Sequence, residues 1–201
     1  MQYPDFFDQV PKLVLQDPLA ALLGAASHGV VEYRYLDAVR LAGHSCPTVA
    51  GAWLMTRDAL AALYPEGMPE RGGIRVQMRE APDVANTGVV GAVIGMVTGA
   101  AGEGGFQGLG GRHARRGLLE YGAKMNGDAR FTRLDNSACV ELGYQPQTVM
   151  PDMALQSLMP RVISGEANRN EQEEFARLWQ DRVRRILLEP VHGLVRCTLL
   201  G

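Results

Sequence analysis

The sequence predicts an α+β fold, because segments with helical and with strand periodicity both occur in a chain of 201 residues. Residues 47–64 carry apolar side chains at helical spacing and stop at a Pro-Glu-Gly turn, which is typical of a helix. Residues 73–79 alternate apolar and polar side chains, which is typical of a half-buried strand. Residues 170–189 combine an apolar face with acidic residues at the start and arginines at the end, so they predict a long amphipathic helix.

Before the 47–64 helix, the pattern predicts two further helices. Asp17 followed by Pro18 is typical of an N-cap and the first helical position, so we expect a short helix that runs to residue 26 and stops at residues 28–29. Residues 31–42 predict a second helix, which Gly43 would terminate.

After the strand at residues 73–79, residues 87–98 are apolar on most sides and predict a buried helix, with a strand as the alternative. Residues 117–124 and 129–134 predict short strands, and a turn at 135–137 would lead into another at 138–143.

The last part of the chain predicts a C-terminal extension. Prolines at 146, 151 and 160 predict a connecting region without regular structure. Asn170 is expected to cap the amphipathic helix, and residues 192–200 would add a last strand. We therefore expect a core domain over residues 1–145 and an extension over residues 146–201 that packs on the core or on a partner subunit.

Composition excludes several classes of function. The formal net charge is -2, so the chain lacks the basic surface typical of nucleic-acid-binding proteins. No run of apolar residues approaches the length of about 18 that a membrane span needs, and the first residues do not resemble a signal peptide. Three cysteines, at 46, 139 and 197, form no Cys-x-x-Cys pair. They predict free thiols in a reducing, cytoplasmic compartment, with Cys139 and Cys197 buried for packing.

The chemistry-bearing segment is His44-Ser45-Cys46-Pro47. Pro47 suits the first helical position, which places Cys46 at the N-cap, where amide groups and the helix dipole favour a thiolate. An imidazole two residues away makes His44 and Cys46 a suitable pair of ligands for zinc or another borderline metal. The same pair could act as a nucleophile and its base, which would make both residues catalytic. In the alternative interpretation, neither residue has a chemical function: Cys46 is a small buried side chain, and His44 is a turn residue bonded to the backbone.

A glycine-rich loop is the second candidate. The 24 glycines concentrate in residues 88–127, and Gly99, Gly102, Gly104 and Gly105 lie in the densest part. Such a loop offers free amide groups to an anion, and a basic run follows at residues 112–116. We expect the loop to form the wall of a pocket that faces Cys46. The alternative is structural, with glycines that let the backbone pass close to a site. The loop matches neither a dinucleotide-binding fingerprint nor a P-loop.

The segment Leu41-Ala-Gly-His44-Ser-Cys46-Pro47 resembles the signature His-Gly-His-x-Cys-Pro-Gly of the FmdE family, which takes its name from the operon of a formylmethanofuran dehydrogenase. Residues 97–99 are similar to its Leu-Thr-Gly segment, and residues 121–142 to its following hairpin region. The resemblance covers residues 30–145. It implies a thioredoxin-like mixed β-sheet flanked by helices, a homodimer, and a metal site at His44 and Cys46 that holds zinc in some members.

The chain departs from the family pattern at three places. Ala42 stands where the signature has its first histidine, and the cysteine that many members have shortly before the Leu-Thr-Gly segment has no counterpart in residues 86–90. The helix at residues 170–189 replaces the zinc finger that some members have. Because two side chains bind a metal weakly, a third ligand or an external molecule is expected. The third-ligand candidates are His28, Asp83, Glu103 and His113.

Three functions therefore follow from the sequence. The first is an FmdE-like protein that holds a divalent transition metal for metal-assisted or redox chemistry on a small molecule, or that serves such an enzyme. The second is a non-enzymatic sensor or carrier of a metal or haem. The third is a metal-free hydrolase or transferase with Cys46 as nucleophile and His44 as base. All three expect a small-molecule ligand or substrate and neither nucleic acid nor a membrane as partner.

Overall fold

The computed structural model describes residues 3–200, and it confirms the α+β fold. Its strands are β1 (Leu13–Gln16), β2 (Val30–Tyr33), β3 (Ile74–Met78), β4 (Leu119–Glu120), β5 (Ala129–Arg133), β6 (Cys139–Tyr144) and β7 (Val195–Leu200). Its α-helices are α1 (Pro18–Leu22), α2 (Tyr35–Ala42), α3 (Pro47–Leu63), α4 (Thr87–Thr98), α5 (Met153–Ile163) and α6 (Arg169–Leu188). Among these described helices, none combines the length and apolar character needed to cross a membrane.

Five strands form a mixed sheet in the order β4-β3-β5-β6-β7. β3 and β4 are parallel, and every other pair in this sheet is antiparallel. Val76, Phe131 and Val140 lie opposite one another on β3, β5 and β6, and all three are fully buried. β1 and β2 form a separate antiparallel pair.

α3 is the central helix of the core. It contacts α2, α4 and α6 as well as β6 and β7, and its residues from Val49 to Thr56 are all buried. Trp53 is fully buried and meets the ring of Tyr35 edge-on at 6.1 Å. The predicted helices at residues 47–64 and 87–98 correspond closely to α3 and α4, because their apolar pattern reflects this burial on several sides.

The predicted helix at residues 31–42 was wrong in its first part. Val30–Tyr33 forms β2, and only Tyr35–Ala42 is helical, while Gly43 ends the helix at φ 78° as predicted. The β-branched and aromatic residues of β2 pair with β1, a strand that local periodicity did not reveal. Asp17 caps α1 as predicted, although this helix ends at Leu22 rather than at residue 26.

Two predictions in the C-terminal part were also wrong. Pro160 lies inside α5, where the prolines had predicted irregular structure. Asn168, not Asn170, caps α6, because its side chain accepts from the amide of Glu171 while the Glu171 carboxylate accepts from the amide of Asn168.

Residues 146–200 contribute one strand to the main sheet. β7 pairs with β6 along its whole length, so the C-terminal segment supplies an edge strand of the main sheet. All three cysteines are free thiols. The prediction that Cys197 is buried was wrong, because its side chain is exposed on this edge strand, and Cys139 is half-buried beside the hydroxyl of Thr132.

Candidate functional site

Cys46 caps the N-terminus of α3, as the sequence predicted. Its Sγ accepts a hydrogen bond from the amide of Val49 at 3.5 Å, and Pro47 occupies the first helical position. The residue is 8% exposed and packs against the core. The amide groups at the N-terminus of a helix stabilise a negative charge, so the sulfur lies where a thiolate is favoured. Cysteine binds metals as a thiolate.

His44 lies on the turn between α2 and α3 and is exposed. Its Nδ1 is 2.9 Å from the carbonyl oxygen of Ala42. A carbonyl oxygen only accepts, so Nδ1 carries the proton in this contact and Nε2 of the neutral ring keeps its lone pair. Histidines that bind metals usually have this arrangement, with one ring nitrogen fixed by a backbone carbonyl and the other free to coordinate.

Three side chains from distant segments fix Ser45, the residue between His44 and Cys46. Trp179 Nε1 and Gln180 Nε2 of α6 donate to its carbonyl oxygen at 3.0 and 3.1 Å. Tyr35 shares a hydrogen bond with its hydroxyl at 3.1 Å. These contacts restrain the turn that carries His44 and Cys46. The positions of these two residues therefore depend on both α2 and α6.

The start of α3 is held on its other side by β6 and by the residue before α4. Tyr144 donates its hydroxyl to the carbonyl of Pro47 at 2.8 Å, and Asn86 donates to the hydroxyl of Thr48 at 3.3 Å. Burial raises the pKa of both Tyr35 and Tyr144 well above the ordinary tyrosine value. Both hydroxyls therefore stay protonated at neutral pH.

The structure does not complete a metal site from one chain. Within residues 3–200, no three His, Cys, Asp or Glu side chains form a group that could hold a metal ion. Glu103 instead approaches Arg116 at 3.8 Å, and His113 lies beside Arg115 on the far side of the glycine loop. His28 and Asp83 lie on exposed turns. None of the four candidates for a third ligand is therefore shown in contact with His44 or Cys46 in the described part of the chain.

The structure does not pair His44 with Cys46 as base and nucleophile. The hydrogen bond of His44 goes to Ala42, and that of Cys46 comes from Val49. A thiol activated by its own base needs the two groups within hydrogen-bond reach, roughly 2.6–3.2 Å for the usual heavy atoms. The observed hydrogen bonds therefore do not join the two side chains into a catalytic dyad.

The glycine loop lies at the opposite end of α4 from Cys46. Asn86, at the start of α4, bonds to Thr48, whereas Gly99 ends the helix about 18 Å further along its axis. No hydrogen bond or ion pair joins residues 99–117 to residues 44–48 in the described chain. The expectation that these glycines surround Cys46 was therefore wrong.

The four predicted loop glycines make different contacts. A Cβ on Gly99 would lie 3.0 Å from Arg115 Nη1, and one on Gly105 would lie 2.9 Å from the backbone of Arg116. The carbonyl of Gly102 accepts from the amides of Gly105 and Gly117. Gly104 faces open space. Gly99 and Gly105 thus leave room for arginines rather than for a group bound at Cys46.

Sequence reasoning missed the residues that support the site from a distance. Trp179 packs against the core, and its indole nitrogen also donates to the carbonyl of Ser45. Gln180 and Tyr144 carried no pattern that could have connected them with residues 44–48. Their roles depend on how α6 and β6 pack on α3, which local periodicity does not contain.

No family model matches the chain, and no curated protein does either. The resemblance to the FmdE family therefore rests on the residues quoted above, and the thioredoxin-like form of the core stays a prediction.

Proposed function

We propose that this protein binds a divalent transition metal, zinc in the first place, through His44 Nε2 and Cys46 Sγ. The observation that carries the proposal is the orientation of His44: its Nδ1–H is committed to the Ala42 carbonyl, which leaves Nε2 as a donor on an exposed ring two residues from an N-cap thiol. Imidazole and thiolate are the two donor types that zinc prefers in proteins.

The hydrogen bonds around Ser45 support this proposal. A site with only two donors from the chain loses affinity quickly when its ligands move, so a rigid turn matters more than in a four-ligand site. Trp179 and Gln180 hold the Ser45 carbonyl from one side, and Tyr35 holds its hydroxyl. The metal would supply a Lewis-acid centre with open positions, which suits small-molecule chemistry or an accessory role in it.

Removal of either donor tests the metal site. We expect purified wild-type protein to bind Co²⁺ with a thiolate-to-metal absorption band and to bind Zn²⁺ competitively. Cys46→Ser should abolish the band, and His44→Ala should weaken binding by more than the roughly 10–100-fold that loss of an outer-shell partner costs. Cys139→Ser and His192→Ala are matched controls, because both residues lie away from this turn, and they should leave the affinity unchanged.

Other outcomes of the same titration would contradict the proposal. Protein that binds no metal but whose Cys46 alkylates unusually fast would support the thiol nucleophile instead. Protein isolated with the visible absorption of haem would support a haem carrier that uses one of these two side chains as axial ligand.

We also propose that the protein forms a homodimer through β7. This strand is at one edge of the main sheet, and the side chains from Arg196 to Leu200 are exposed, with Leu199 70% exposed. An open edge with apolar side chains is a template for pairing with a second copy.

Light scattering at micromolar concentration should give about twice the chain mass of 21.8 kDa. Leu199→Lys should convert the dimer to a monomer, because a charge on an edge strand opposes pairing. Ile163→Lys is the matched control, since this side chain on α5 is equally exposed at 77%, and it should leave the dimer intact. A wild-type monomer would refute this assembly.

The free thiols also support a reducing, cytoplasmic compartment. Cys197 is exposed on β7, and an exposed thiol is oxidised readily in a secreted protein.

A further inference from the structure

A cleft lined by arginines lies between the residues before β3 and the end of the glycine loop. Its volume is about 310 Å³. The polar side chains that line it belong to Glu70, Arg71, His113, Arg115 and Arg116. We call it the arginine cleft. It lies on the glycine-loop side of α4, away from His44 and Cys46, so its ligand is not the metal proposed above.

Arg115 is a buried cation in this cleft, only 6% exposed. Its Nη2 donates to Asp17 Oδ1 at 2.7 Å, while its Nε is buried with no hydrogen-bond partner. The guanidinium occupies the space beside Gly72, where a Cβ would lie 1.2 Å from Nη1. A buried guanidinium normally uses all of its donors, so this one is incompletely satisfied.

Arg71 lies beside Arg115 and shares the same carboxylate. Its Nη1 donates to Asp17 Oδ2 at 2.9 Å and its Nη2 to the carbonyl of Met96 at 3.0 Å. Its Nε is also buried without a partner. Two guanidinium groups therefore depend on one carboxylate, which in addition accepts from the amides of Leu19 and Ala20.

Among the residues that line the cleft, three are arginines and one, Glu70, is a carboxylate. Burial and the neighbouring charge of Arg71 lower the pKa of Arg115, against the opposing effect of Asp17 and Glu70. Arg116 adds a third cation at the mouth of the cleft, and its pair with Glu103 is solvent-exposed, at 3.8 Å, and therefore weak. A further negative charge in the cleft would be stabilised by all three arginines.

We propose that the arginine cleft binds a small oxyanion, the phosphate or carboxylate group of a small molecule. Planar guanidinium groups bind such groups through paired hydrogen bonds, and a partly desolvated setting makes these bonds strong. Two glycines have a role here, because side chains at Gly72 and Gly99 would collide with Arg115 or press on it. They leave space for the guanidinium of Arg115 beside Arg71.

Titration with inorganic phosphate tests the proposal, with acetate and chloride at the same ionic strength. We expect phosphate, acetate or both to raise the melting temperature saturably and chloride to have no saturable effect. A response to phosphate alone would identify a phosphoryl ligand, and a response that includes acetate would identify carboxylates as ligands. Arg116→Ala should raise the apparent Kd for the oxyanion about fivefold, because it removes one exposed charge.

Arg112→Ala is the matched control, since Arg112 lies in the same basic run but outside the cleft lining. It should change the Kd less than twofold. Arg71→Lys keeps the charge but loses the forked geometry, and it should also weaken binding. The proposal would be overturned if Arg112→Ala and Arg116→Ala weakened oxyanion binding equally. It would also be overturned if neither oxyanion gave a saturable rise in melting temperature. His44→Ala should leave oxyanion binding unchanged, which separates this test from that of the metal site.

Discussion

Asp17→Ala is expected to lower the free energy of unfolding by about 3–5 kcal/mol. Asp17 is 4% exposed and is the one carboxylate bonded to both Arg71 and Arg115. Its loss leaves the buried guanidinium of Arg115 and the partly buried one of Arg71 without this carboxylate, and it also removes the N-cap of α1. Breaking a buried ion pair by removing one partner is costly because the remaining charge stays desolvated. Urea unfolding of the two proteins measures the difference.

Asp152→Ala is the control for the capping contribution alone. Asp152 also caps a helix, accepting from the amide of Ala154, but its side chain is exposed and forms no ion pair. Its replacement should cost about 1 kcal/mol. An Asp17→Ala loss no larger than that of Asp152→Ala would mean that the arginines relax into water, and that the cluster contributes little to the fold.

The same carboxylate predicts a pH dependence. Burial opposes its ionisation, but the hydrogen bonds from Arg71 and Ala20 and the charges of Arg115 and Arg71 outweigh burial and hold the pKa of Asp17 below its usual value of 3.8. A group with a lowered folded-state pKa stabilises the fold above its unfolded-state pKa and loses that contribution as the pH falls through the folded-state value. The stability difference between wild type and Asp17→Asn should therefore be constant near neutral pH and shrink below about pH 4.

The sequence predicted those elements whose own periodicity reflects the surface that they bury. α3, α4, β3 and α6 carry apolar residues at the period of the surface they bury, and their positions were close to the predicted ones. β1 and β2 were missed or misassigned because short strands are stabilised by each other. Their pairing is a property of two segments, and neither segment contains it alone.

In the candidate site too, local features could be predicted from the sequence and contacts between distant segments could not. The position of Cys46 at an N-cap followed from Pro47 alone, because proline at the first helical position fixes the boundary locally. The contacts of Ser45 with α6 span more than 130 residues of sequence, and no periodicity indicates them. The glycine loop was placed beside Cys46 because the two follow one another in the family pattern, whereas α4 separates them along its length.

Gly51→Ala is expected to destabilise the protein by about 2 kcal/mol, although alanine is the better helix former by about 1 kcal/mol. Gly51 lies inside α3, and a Cβ there would lie 2.3–2.6 Å from three ring atoms of Tyr144. The ring cannot move without losing the hydrogen bond from its hydroxyl to Pro47 at the start of the helix. The substitution should therefore also loosen the turn that carries Cys46.

A double-mutant cycle with Tyr144→Ala separates this close approach from helix propensity. Without the Tyr144 ring, the new methyl group has space, so Gly51→Ala should become neutral or stabilise the protein by up to about 1 kcal/mol. Tyr144→Phe keeps the ring but removes its hydrogen bond to Pro47, so Gly51→Ala should stay destabilising there, by less than in the wild type. If the substitution costs the same in all three backgrounds, the loss does not come from the ring, and the contact between β6 and α3 does not explain why a glycine occupies the middle of the central helix.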